Sequence, residues 1–313
     1  MTRAKDWLEL VRLPNIFTAV TDVLAGYWLV SASLIVSWRL AALCGASACL
    51  YAYGIVLNDL ADIEIDRVER PNRPLPSGRI STPAARRLMF GLALIGLALA
   101  ALAGLDPTIE APGFVVEGYD WRPVAVAAAL IVAISAYDLM TKGTFAGPIN
   151  MGLCRGLNLI LGMCAGWWLS DNIGLLAIGA MTLYVASLTY FGADEVKRSR
   201  RFRLVTGAAG IYVAILSLGL LVAGATLPSG RDEGNYYLLA LWFALLIHTG
   251  RMSIRAIRAP EPQHVQRAMK TFILGIIGLD AIIASSAQGW PAAVIVLAML
   301  APTLIVGRRL YST

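Results

Sequence analysis

Long apolar runs alternate with short polar breaks along the chain. Set against those breaks, the runs predict spans near residues 15–36, 39–57, 86–105, 123–140, 146–168, 172–191, 204–227, 236–250, 270–287 and 290–307. Each run is close to the ~20 residues that carry an α-helix across a bilayer. Hydrocarbon offers the backbone no hydrogen-bond partner, so a spanning segment must satisfy its own, and a helix does this without closing a barrel. The pattern therefore predicts one all-α, polytopic transmembrane bundle. Nothing in residues 1–313 reads as a linker or low-complexity stretch, so a single membrane-embedded domain is expected.

Composition supports the membrane reading. The chain is 58% hydrophobic and 15% charged, where soluble domains carry about 25% charged residues. Lipid can cover that much apolar surface, and a soluble core of this size cannot. The first run follows the mixed-charge segment 1–12 without a signal-peptide pattern and reads as an uncleaved span. Cys44, Cys49, Cys154 and Cys164 lie in apolar runs and form no CxxC pair, which suits small core residues rather than ligands or disulfides. Two histidines, His248 and His264, are too few for a zinc cluster.

The net charge of +6 is distributed as a topology signal. With a cytoplasmic N-terminus, 22 of the 26 Lys and Arg residues fall at the cytoplasmic termini and loops. Arg39, Arg122 and Arg231 are left outside, Arg155 lies within a span, and the outer loops are acidic. The positive-inside rule then places both termini in the cytoplasm. An integral protein of a bacterial inner membrane is expected. The charge calls for no nucleic acid, and it suits anionic lipid headgroups.

Chemistry concentrates after the second span, in "NDLADIEIDRVERPNRPLPSG". Asn58, Asp62 and Asp66 are spaced i, i+4, i+8, within about 80° of one helix face, with Asp59 beside them. Acids crowded on one face repel unless a cation sits among them. Mg²⁺ suits such oxygen donors, because it is commonly held by one or two carboxylates plus substrate phosphates. The bland alternative is a solvated helix end that stops the span from sliding. The following arginines, Arg67, Arg70, Arg73 and Arg79, sit in a loop stiffened by Pro71, Pro74 and Pro76. Guanidinium groups match phosphate oxygens, so a metal face followed by an arginine loop points to a diphosphate pocket.

This stretch resembles the first aspartate-rich motif of the UbiA-type intramembrane prenyltransferases, NDxxDxxxD followed by an RPL-S-G loop. "RLPN" at Arg12–Asn15 and "YDLMTK" at Tyr137–Lys142 extend the resemblance. Together with "GPINMGLCRGLNLILGM" and a reduced second motif, the chain looks most like the EboC branch of that superfamily. The resemblance implies a bundle of nine or ten spans and a Mg²⁺-dependent transfer of a prenyl group. The donor would be a prenyl diphosphate and the acceptor an aromatic or lipid molecule. It makes Asn58, Asp62 and Asp66 the Mg²⁺–diphosphate ligands, with Asp62 and Asp66 essential to catalysis. Arg67, Arg73 and Lys142 would neutralise the departing diphosphate, and Tyr137 would face the allylic carbon. The alternative is a prenyl-lipid binding or export protein with little or no chemistry.

The second acidic motif of that family is reduced to Asp194 and Glu195 in "YFGADEVKRSRRFR". Asp194 would be its metal and diphosphate ligand and Arg198 a diphosphate contact. Adjacent helical residues point ~100° apart, so Asp194 and Glu195 converge on one ion only if the chain turns there. The basic stretch 197–203 either substitutes for metal charge or is only a topology signal. Asp22, Arg155 and Asp280 lie at matching depth inside spans, where charges are costly and usually paired. They predict an ion pair of Arg155 with Asp22, Asp280 or both. The sharper reading puts Arg155 and Asn158 on the wall of a substrate cavity. Asp138, after Tyr137, is a candidate base for the acceptor, or an interfacial acid paired with Lys142.

Overall fold

A computed structural model describes residues 4–31, 34, 36–105, 110–111, 114–115, 118–166, 172–195, 198–226 and 236–311. Among these, thirteen α-helices build the fold. A short surface helix α1 (Ala4–Leu10) leads into α2 (Leu13–Val30) and α3 (Trp38–Ala61), and α4 (Ile63–Glu69) continues from the end of α3. Then come α5 (Thr82–Ala103), α6 (Arg122–Ala136), α7 (Ala146–Met163) and α8 (Asn172–Gly192). The chain ends with α9 (Arg201–Thr226), α10 (Tyr236–Arg258), α11 (Pro262–Gln288), α12 (Trp290–Ala298) and α13 (Leu300–Tyr311). Between α5 and α6, β1 (Glu110–Ala111) pairs antiparallel with β2 (Phe114–Val115).

The helix starts follow local sequence. Ser37 accepts the Leu40 N–H at 3.1 Å and caps α3. Pro83, Pro123, Pro262 and Pro291 stand in the first turns of α5, α6, α11 and α12, where a missing N–H costs nothing.

Nine helical segments among the described residues are long and apolar enough to span a bilayer. α7 is an eighteen-residue helix outside that set. It carries Asn150, Arg155, Asn158 and several glycines, and it packs against α2, α6 and α8 while leaving Ile149 and Leu153 exposed. Counting it gives ten segments, one for each predicted run. The boundaries shift at several places, and α7, for one, ends at Met163 rather than near residue 168. The first span ends at Val30 rather than near residue 36. α10 extends to Arg258 and α11 starts at Pro262, so basic residues read as loop are helix ends projecting past the apolar part. Pro260 and Pro262 impose the break between them.

α2 and α11 are the most buried spans, and α6 turns most of its surface outward. α2 and α7 touch backbone to backbone: a Cβ on Gly26 would overlap the Leu159 carbonyl, and one on Gly162 the Val23 carbonyl. Small residues at such crossings are what membrane helices use to approach closely. On one face of the bundle, Asp120 accepts from Arg39 at 2.6 Å and from Arg122 at 2.8 Å. Both guanidiniums also reach the Cys164 carbonyl and so tie three interhelical loops together. Burial pushes the Asp120 carboxyl up, but the two arginines outweigh it and hold it below the usual range. On the opposite face a smaller core of Leu10, Tyr53, Val56, Leu75, Ile80 and Met89 fastens the loop 70–81 to α1, α3 and α5.

Candidate active site

The site lies on that second face. At Asp62 the backbone (φ −91°, ψ 6°) breaks the helix into α3 and α4. The hydrogen-bond ladder still runs through, from Asp62 N–H to the Asn58 carbonyl at 2.9 Å and from Asp66 N–H to the Asp62 carbonyl at 2.9 Å. Asn58, Asp62 and Asp66 thereby keep a shared face and line one cavity. Asp66 is buried, and Asn58 and Asp62 are half-buried.

Leu75 and Ile80, buried in the smaller core, hold the arginine loop over the end of α3. Arg73 donates to Asp66 at 2.6 Å and to Asp59 at 3.4 Å. Arg12, at the entry to α2, donates to the same Asp59 oxygen at 2.7 Å. Arg79 reaches back to Asp6 and Glu9 on α1 and to the Asn72 carbonyl at 2.6 Å, closing the loop on itself.

The opposite wall comes from the end of α6. Residues Tyr137–Thr141 form one π-helical turn, closed by the Lys142 N–H to the Tyr137 carbonyl at 2.8 Å. Such turns insert one residue into a helix and recur at functional sites. Tyr137, Asp138 and Lys142 all face the cavity. The Asn58 amide donates to Asp138 at 2.7 Å, and Lys142 ion-pairs with Asp62. Of the two readings of Asp138, the contact observed is with Asn58.

The cavity holds about 590 Å³. Its mouth carries the polar groups, its middle is walled by Ile55, Leu130 and Ile134, and its floor by Ser47, Tyr51, Arg155 and Asn158. Arg155 donates to Asp22 at 2.7 Å, as one of the expected pairings had it. Asp280 is fully buried, beside Asp22 and Thr21.

Three anticipated contacts are placed elsewhere. Arg67 is exposed and turned onto Glu64 at 2.7 Å, and Arg70 lines the mouth instead. Asp194 is outside the cavity lining and ion-pairs with Arg203 at 3.1 Å. Its neighbour Glu195 is the acid that faces the cavity. Burial raises the Glu195 carboxyl, and Arg70 partly opposes this. Arg198 is exposed and away from the lining. The rotation of a turn decides which of two adjacent residues enters a site, and no pattern in the sequence gives that rotation. Asp59 was legible only as a neighbour of the motif, and its role as the anchor for Arg12 and Arg73 was not.

Asn58, Asp62 and Asp66 fit Mg²⁺ by donor type, since all three offer hard oxygens to one cavity. Among the described residues no three His, Cys, Asp or Glu side chains make a ready-made metal group. Lys142 and Arg73 instead occupy Asp62 and Asp66. That agrees with an ion completed by substrate phosphate rather than by protein alone.

Comparison with known proteins agrees with this architecture. Residues 19–276 match the model of the UbiA prenyltransferase family. The chain is 36% identical over 253 residues to the digeranylgeranylglyceryl phosphate synthase of Sulfurisphaera tokodaii, covering 78% of this chain and 85% of the relative. It is 32% identical over 296 residues to that of Ignicoccus hospitalis, covering 88% and 91%. Among solved structures, a digeranylgeranylglyceryl phosphate synthase superposes with a TM-score of 0.63 at 21% identity, over 92% of this chain and 99% of the other. A UbiA homolog from Archaeoglobus fulgidus bound to GPP and Mg²⁺ gives 0.60 at 15%, over 89% and 99%. These relatives do not support the EboC branch or a bacterial membrane. The apolar helices, the polar cavity and the matched length converge on one conclusion: the chain is an integral membrane protein of the UbiA prenyltransferase family.

Proposed function

We propose that this chain catalyses Mg²⁺-dependent transfer of a prenyl group from its diphosphate to the hydroxyl of a glyceryl-phosphate lipid. The observation that carries the reading is the convergence of Asn58, Asp62, Asp66, Tyr137 and Lys142 on one cavity from two separate segments, 58–66 and 137–142. The acceptor class is taken from the named activity of relatives that align over most of the chain. An aromatic acceptor is the competing choice. By the positive-inside distribution the mouth opens to the cytoplasm, where both termini also lie.

Mg²⁺ held by Asn58, Asp62 and Asp66 would offset the charge of the diphosphate and of the pyrophosphate that leaves. The rest is done by side chains. Lys142 and Arg73 sit on the carboxylates and transfer their hydrogen bonds to phosphate oxygens as substrate arrives. Arg70, at the rim, adds a further guanidinium. As the allylic C–O bond breaks, its electron pair leaves with the diphosphate, and the face of the Tyr137 ring stabilises the positive carbon. Ile55, Leu130 and Ile134 keep water from that carbon. The acceptor oxygen then bonds to it and loses its proton, for which Asp138, bonded to Asn58 rather than to a cation, is placed.

A second reading, prenyl-diphosphate binding without transfer, is favoured by one observation: Asp194 is engaged by Arg203 outside the cavity. Incubation with geranylgeranyl diphosphate, Mg²⁺ and either geranylgeranylglyceryl phosphate or 4-hydroxybenzoate separates the choices by product mass. Only the lipid product agrees with the proposal. Saturable binding without product supports the carrier.

A further inference from the structure

The cavity does not end in hydrocarbon. Its floor carries Ser47, Tyr51, Arg155 and Asn158 among the apolar Ala19 and Leu50, and Tyr51 lies about 10 Å below the metal face, since it precedes Asn58 by seven residues on α3 at ~1.5 Å each. Arg155 and Asn158 come from α7, Ser47 and Tyr51 from α3.

The hydrogen-bond accounting is specific. A guanidinium has five N–H donors. Arg155 spends two on the Thr18 carbonyl (2.9 Å) and Asp22 (2.7 Å), and a third on the Thr18 hydroxyl (2.8 Å). Asn158 is committed to the Ala19 carbonyl and Asp22, both at 2.8 Å, and accepts from Ser47 at 2.7 Å. Two Arg155 N–H groups and the Tyr51 hydroxyl have no partner among the described residues. The guanidinium lies 5.4 Å from the centre of the Tyr51 ring, so these donors are neighbours. Donors left open on a cavity wall call for an acceptor atom on the ligand. The charge of Arg155 is matched by Asp22, and Asp280 adds no positive charge. An anion would find no net cation here, whereas at the mouth the carboxylate face offers a place for the Mg²⁺ that would hold a phosphate.

We infer that the Arg155–Tyr51 floor is the subsite for an uncharged oxygen of the acceptor, an ether or hydroxyl group, while phosphate stays at the mouth. The inference rests on the transferase reading and adds the residues that select the acceptor.

Direct binding tests it in detergent micelles, with three probes sharing one tail: geranylgeranyl diphosphate with Mg²⁺, 1-O-geranylgeranylglycerol, and geranylgeranoic acid. Tyr51→Phe keeps the ring beneath Arg155 and removes only the hydroxyl. It should weaken the glycerol ether about fivefold, the loss of roughly one neutral hydrogen bond, and leave the diphosphate and the acid within twofold. Arg155→Lys keeps the charge and removes the fork, with the same selectivity expected. Unchanged ether affinity in Tyr51→Phe, or equal loss for all three probes, overturns the floor assignment. A loss for the acid and not for the ether overturns its uncharged character. Asp62→Asn is the separate control: if pyrophosphate release with acceptor survives it, the transferase reading fails, whatever Tyr51 does.

Discussion

At the scale of single residues, the site stores its cations on its own carboxylates. Lys142 rests on Asp62 and Arg73 on Asp66, and the two acids differ in what else they support. Asp62 is half-buried beside one flexible lysine, whereas Asp66 is buried and pins the arginine loop through Arg73. Asp62→Ala should therefore abolish pyrophosphate release while changing stability by less than about 1 kcal/mol, as expected for a partly exposed pair. Asp66→Ala should abolish release and also cost about 2–4 kcal/mol, because Arg73 is left with only a long contact to Asp59. Thermal unfolding in detergent, run beside the release assay, checks both; equal stability of the two variants would refute the distinction. Asn58, Asp62 and Asp66 were legible as one face from their spacing and residue types, whereas Tyr137 and Lys142 were reached only through the family resemblance. Arg70 in place of Arg67, and Glu195 in place of Asp194, were not legible. The break at Asp62 and the turn after α8 set those rotations through packing that one sequence does not reveal.

At the scale of elements, α7 is the piece that hydropathy undervalues. Its polar residues and glycines lower its apolarity, and the same residues let it pack closely against α2 and α8. Gly162 meets the backbone of α2, while Gly152 and Gly156 would meet Thr182 on α8. Gly162→Ala should lower stability by about 1–3 kcal/mol, the usual cost of overpacking a tight contact. It should also displace Arg155 and Asn158 from α2. An unchanged melting temperature would show that the crossing is looser than drawn. The run 146–168 predicted where this helix starts but overran its end at Met163, and its close packing was legible only through its buried arginine. The π-turn was not legible at all, since nothing in "YDLMTK" announces an extra residue in the helix.

At the scale of the molecule, the two faces differ in kind. One holds the cavity mouth, and the other is closed by Asp120 with Arg39 and Arg122. Because the folded Asp120 carboxyl is held below its usual range, the stability it contributes is fully present above the ordinary aspartate range. It is lost as pH falls through the folded value. Wild type should thus exceed Asp120→Asn in melting temperature at pH 7 and converge with it in acid; a gap independent of pH would contradict this assignment. The ten runs gave the ten helical segments because lipid imposes length and apolarity on each. On the proposal that all ten segments cross and both termini are cytoplasmic, reporters fused at either end should be active on the same side of the membrane. Opposite sides would mean nine crossings, with α7 or the α12–α13 pair not traversing.

The central claim is that the carboxylate face and its paired cations form a working prenyl-transfer site. Pyrophosphate release by purified protein in nanodiscs tests it most directly, with geranylgeranyl diphosphate, geranylgeranylglyceryl phosphate and Mg²⁺. The account predicts release that requires Mg²⁺ and the acceptor and disappears in Asp62→Ala. Release that persists in Asp62→Ala, or saturable diphosphate binding with no release in wild type, would contradict it.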